Sequence, residues 1–235
     1  MKDLLGKIKL KLLASVGLVV VAPMLANGAN FVYQFNNVFN GVTPAGSLPW
    51  ITAAFSDVAG SPGTVQLKIS ASGLTGSEFL AGLLLNLDPA DNPGKLAFTY
   101  VTGSGGFSTP SISTGEDKFK ANGDGKYDIS FVFSQKSSKT LTGNEWVVYD
   151  ITSTSKNFTL DASDFDFLSA ASCGSGPFLA AAEIMGIPTS CGGSGTGWTS
   201  PSQLTPVPEP GTAALMIFGA GTLGLAAIRR KNRKG

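Results

Sequence analysis

Histidine is missing altogether from the chain, cysteine occurs twice, and charged residues make up only 14% of it. Each shortage removes a class of chemistry. Without an imidazole, neither a Ser-His-Asp nor a Cys-His nucleophilic device can be built, and a zinc hydrolase of the HExxH kind is equally out of reach. Two cysteines with no histidine leave too few ligands for a structural zinc site. Arginine is absent between residues 30 and 206, where eight lysines stand against fourteen carboxylates, a formal charge of −6. That sign is wrong for gripping a phosphate backbone, which sets nucleic acid aside as a partner. No cofactor is implied, and the body is expected to be non-enzymatic. Long helical patterns and internal repeats are missing as well.

What the body does have is apolar residues at period two, the mark of a strand with one buried face. Phe31, Tyr33 and Phe35 alternate with Val32, Gln34 and Asn36, and Val65, Leu67, Ile69 and Ala71 alternate with polar neighbours. Leu83, Leu85 and Leu87 follow, with Leu84 between them suggesting a strand covered on both faces. Leu96-Phe98-Tyr100, Tyr127-Ile129-Phe131-Phe133, the stretch from Trp146 to Ile151, and Phe158-Leu160 continue the series. Ser61-Pro62-Gly63, Asp88-Pro89, Asn92-Pro93-Gly94 and Asn122-Gly123-Asp124-Gly125 punctuate it as turns. The fold class expected is therefore all-β: an antiparallel β-sandwich or jelly-roll-like single domain over residues 30–200, with a barrel as second choice.

The ends are different. Lys2, Lys7, Lys9 and Lys11 precede an apolar run, Leu12 to Leu25, and small residues follow in Ala26-Asn27-Gly28-Ala29. Residues 1–29 read as a secretory signal peptide, which would engage the Sec translocon and signal peptidase. At the other end, residues 201–210 form a linker ending in Val207-Pro208-Glu209-Pro210. Its two prolines hold that tetrapeptide extended. Gly211 to Ile228 is 18 residues without a charge, about the minimum that crosses a hydrocarbon core of roughly 30 Å as a helix. Arg229, Arg230 and Lys231 open a basic tail, 229–235, of the kind that stays on the cytoplasmic side as a stop-transfer signal. Gly219, Gly221 and Gly224 spell GxGxxG, but no βαβ unit surrounds them and a dinucleotide site is not indicated.

VPEP, a glycine-rich apolar span and Arg-Arg, in that order within 29 residues, resemble the PEP-CTERM sorting signal of Gram-negative bacteria. The resemblance implies that an exosortase, a membrane-embedded cysteine protease, cuts near the motif and passes the protein to the envelope or exopolysaccharide. Parts of the body, among them GLTGSEF, LNLDP, FKANGDGKYD and FLSAASCGSGPFLAAAE, are similar to other PEP-CTERM precursors. No activity comes with that similarity.

Three further groups bear on function. In an exported chain Cys173 and Cys191 would form a disulfide by default, worth roughly 3 kcal/mol in the chain-entropy model; two unpaired thiols are the alternative. Asp161, Asp164 and Asp166 form the only dense carboxylate cluster. Paired carboxylates can serve a glycosidase, yet Phe165 and Phe167 alternate with them as in a surface strand with its acidic face in water. Asn122, Asp124 and Asp128 offer oxygen ligands on a tight turn. In an EF-hand register, however, Lys120 and Phe131 fall where carboxylates are required, so this is at most a weak calcium candidate and a hairpin turn is the preferred reading. Asn157-Phe158-Thr159 is a formal glycosylation sequon, read here as strand. Two functions are left: an exported structural or adhesive protein processed by an exosortase, and a secreted carbohydrate-binding or carbohydrate-active module using Trp50, Trp146 or Trp198.

Overall fold

The computed structural model describes residues 30–206 except 123, 156–158, 172–173 and 175; the side chains of 124 and 202–206 also lie outside the description. Period-two alternation becomes burial almost position by position. In β1 (Phe31–Gly41) Phe31, Tyr33 and Phe35 point into the core while Val32, Gln34 and Asn36 are half-exposed. β2 (Ile51–Asp57) buries Ile51, Ala53 and Phe55, and β3 (Thr64–Ser70) buries Val65, Leu67 and Ile69. β4 (Phe79–Leu85) is covered on both faces, as Leu84 suggested. Then come β5 (Leu96–Ser104), β6 (Ser111–Ala121), β7 (Asp124–Val132), the two-residue β8 (Leu141–Thr142), β9 (Trp146–Ser153), β10 (Ala180–Pro188) and β11 (Ser194–Pro206).

Ten of these strands form one antiparallel path, β5-β9-β3-β2-β1-β11-β10-β4-β7-β6, and β8 pairs with β4 beside it. The path folds over so that its ends face each other across a shared core. Phe98 of β5 meets Phe131 of β7 edge-on, with ring centroids 5.5 Å apart, and Phe131 meets Tyr149 of β9 at 5.7 Å. The β1/β11 ladder at the middle of the path slips register three times between Tyr33 and Asn40. Bulges of this kind increase local twist and re-aim a strand. Among the described residues no ladder joins β5 to β6, so the structure is a nearly closed sandwich rather than a sealed barrel. No helix among the described residues is long and apolar enough to cross a membrane; the expected span, 211–228, lies outside them.

Two expectations change. Leu160 does not open a strand: it is buried in a loop, and the residues after it form a 3-10 turn, Ala162–Phe165. Phe158 falls outside the described residues. The reason for the turn lies in the aspartates themselves. Asp161 caps it, accepting from the Ser163 amide at 2.8 Å, while the Asp164 side chain accepts from the Asp161 amide at 2.8 Å. Such reciprocal capping satisfies amides that a strand would have left to a neighbour. Phe165 then stacks on Phe55 at 4.9 Å, and its carbonyl accepts from the Tyr33 hydroxyl at 2.5 Å. The second change is at the end of the domain: β11 carries the sheet through to Pro206, into the stretch expected to be linker.

Candidate functional site

The β6–β7 hairpin closes with Ala121 paired to Asp124. Asn122 takes a left-handed φ of 39°, a conformation that asparagine tolerates. Further along, the hairpin is irregular. Thr114 pairs with Ile129 and the next pair is Phe119 with Tyr127, so residues 115–118 stand opposite Asp128 alone. This wide bulge contains Asp117 at φ 48°.

Asp128 holds the bulge in place. One carboxylate oxygen accepts from the Asp117 amide at 2.8 Å, and the other from the Leu87 amide at 3.0 Å. Burial raises this carboxyl above its ordinary value, outweighing the two amides that lower it. Both oxygens are therefore turned to the backbone and not toward the Asn122 turn. The side chain of Asp124 lies outside the description. Among the described residues no cluster of three acidic, cysteine or histidine side chains could hold a metal.

Beside the bulge a small second apolar cluster of Leu84, Ala121, Tyr127 and Ala181 is covered by Phe39, Phe119 and Trp198. Between Phe119 and Trp198 lies an open cleft of about 410 Å³. Trp198 on β11 sits directly across from Glu183 on β10. Gly82 on β4 leaves the floor bare: a Cβ there would lie 3.6 Å from the Glu183 carboxylate. Lys118, Lys120 and Gln135 line the cleft from the β6–β7 side. Glu183 is half-buried, and burial raises its carboxyl above the usual range.

The other expected residues are scattered. Trp50 is buried, its ring N–H donating to the Gly46 carbonyl at 3.0 Å. Trp146 has the Lys68 ammonium 4.9 Å over its ring. Asp161 and Asp164 serve as turn caps and Asp166 ends the same turn; burial, with Asp161, Asp91 and Asp88 nearby, pushes the Asp164 carboxyl up. Cys191 is exposed beside the turn between β10 and β11 and carries no disulfide; Cys173 and Asn157 lie outside the described residues. The cleft residues Phe119, Glu183 and Gln135 escaped sequence reasoning. A signal for the bulge was present in Gly115-Glu116-Asp117-Lys118, which breaks the alternation of β6.

β11 lies between β1 and β10, and its last residue, Pro206, pairs with Phe31 at the start of β1. The two ends of the folded body thus leave from one place. The sequence that follows β11 matches, over residues 206–231, the family model described as the PEP-CTERM protein-sorting motif. The chain carries a PEP-CTERM sorting motif. The motif residues Val207, Pro208, Glu209 and Pro210, and the basic Arg229, Arg230 and Lys231, lie outside the described residues. No curated protein matches the chain. Among solved structures the PEP-CTERM chain is similar to a biomass-sensing module of RsgI-like proteins of Clostridium thermocellum, said to resemble a family 3 carbohydrate-binding module of the cellulosome. That likeness has 14% identity and a TM-score of 0.30, over 66% of this chain and 91% of the other. A family IIIA CBD from Clostridium cellulolyticum is similar at 16% identity and a TM-score of 0.26, over 66% and 92%. Likenesses this low bear on neither ligand nor mechanism.

Proposed function

We propose that the chain is an exported, non-enzymatic protein of the cell envelope or extracellular matrix, anchored transiently by its C-terminal span and processed by an exosortase at Val207-Pro208-Glu209-Pro210. The observation that carries this reading is the sorting motif at residues 206–231. In this account residues 1–29 direct export through the Sec translocon and are removed by signal peptidase. Residues 211–228 form the retention helix, and Arg229, Arg230 and Lys231 stop transfer. The body then folds outside.

The placement of the body's two ends supports the same reading. Four residues separate the last strand residue, Pro206, from Gly211, a reach of roughly 14 Å when extended. The β-domain would therefore stand close against the bilayer, with its C-terminal strand locked between two neighbours. Proteolysis after Pro206 would release it without removing any residue of the sheet.

Replacing Pro208, Glu209 and Pro210 together by alanine tests the proposal in the native host. Export should persist while the unprocessed precursor accumulates in the inner membrane. A mature species of unchanged mass in the envelope fraction would refute it.

A further inference from the structure

We infer that the cleft under the β6 bulge is a binding site for an acidic polysaccharide, one whose sugar rings carry carboxylates. Its two rings, half-buried Trp198 and Phe119, form apolar walls suited to the C–H faces of a pyranose. The polar groups at its margins differ in kind: a carboxyl from Glu183, an amide from Gln135, and ammonium groups from Lys118 and Lys120. A few convergent polar groups over an aromatic wall, in a space of about 410 Å³, is the arrangement expected of a site for a small or extended polar ligand.

Glu183 sharpens the argument. It is half-buried, and among the described residues it makes no hydrogen bond and no ion pair. Its oxygens open into the cleft and are free to accept from a sugar hydroxyl. A ligand made only of anions would be repelled there. Lys118 and Lys120 set the charge preference. Both are exposed and neither has a carboxylate partner among the described residues, although the body carries six more acidic than basic groups. One of them, Lys118, rests its ammonium 5.4 Å over the Phe119 ring. Cations left unpaired beside an aromatic wall on an otherwise acidic domain select an anionic sugar over a neutral one. Gly82 completes the site by keeping the floor open beside Glu183.

The test is calorimetric titration of the full chain in detergent with oligomers of polygalacturonate, and with dextran and poly-glutamate oligomers as the neutral and the purely anionic arms. Polygalacturonate should bind at least about tenfold more tightly than either. Trp198→Ala should weaken that binding by about tenfold or more. The exposed pair Lys118→Gln with Lys120→Gln should abolish the preference over dextran. Absence of polygalacturonate binding, equal binding of poly-glutamate, or unchanged binding by the lysine pair would each overturn the inference. Maturation of the C-terminal motif is scored separately, so this failure and that of the sorting proposal are distinguishable.

Discussion

Replacing Asp128 by asparagine tests whether the carboxylate is a tether or a metal ligand. The side chain keeps its shape, but one of its oxygens becomes an NH2 group. In the native structure both oxygens accept from backbone amides, Asp117 at 2.8 Å and Leu87 at 3.0 Å. Asparagine can accept from only one of them; the other amide then faces a donor. A buried donor left unmade costs about 1–3 kcal/mol, and the surviving bond changes from charge-assisted to neutral, a loss of about 1 kcal/mol. Against this, the charged carboxylate was already disfavoured by burial, and its removal returns part of the loss. The net destabilisation worked from these terms is about 2 kcal/mol. For a body of this size it should lower Tm by roughly 4–8 °C. Hydrogen exchange followed by mass spectrometry should speed up in segments containing Leu87 and Asp117 and stay unchanged in β1 to β3. Calcium should not raise the Tm of the parent chain. A calcium-dependent rise that Asp128→Asn removes, or a variant as stable as the parent, would refute the tether.

Three further outcomes are expected. Gly73→Ala should be severely destabilising, by about 3 kcal/mol or more, because the new Cβ would lie 2.2 Å from the Pro49 carbonyl oxygen and 2.3 Å from that of Ser47; an unchanged thermal midpoint would contradict this packing. Asp128, Asp164, Asp166 and Glu183 are all raised by burial from ordinary values of 3.8 or 4.5, so the native state holds more protons than the unfolded one between those values and the raised ones. By linkage their contribution to stability falls as pH rises from those ordinary values through the raised ones, so Tm should decline on going upward through that window, and a rise there would show the sign to be wrong. Cys191 is exposed and carries no disulfide, so thiol titration of the folded mature protein should find it reactive and reduction should leave the unfolding free energy unchanged; an unreactive Cys191, or a drop of roughly 3 kcal/mol on reduction, would restore the pairing with Cys173.

The sequence by itself determined the sorting signal and the strands with one wet face. A signal read as an extended peptide, and a span read by lipid, need no tertiary partner, so Val207 to Pro210 and the matched segment 206–231 were legible as strings. Strands such as β1 and β3 were equally plain, because a single buried face enforces period two along the chain. β10 was not: Ala180, Ala181 and Ala182 are all fully buried, and a strand covered on both faces has no reason to alternate. Asp161 to Asp166 read as a surface strand because Phe165 and Phe167 alternate with carboxylates, yet capping of local amides decided for a turn. The cleft could not be read at all. Trp198, Glu183, Gly82 and Lys118 come from four separate strands, and what brings them together is the ladder order around β11 and a bulge fixed by Asp128. Proximity across a sheet follows from pairing between distant segments, and only the folded chain specifies it.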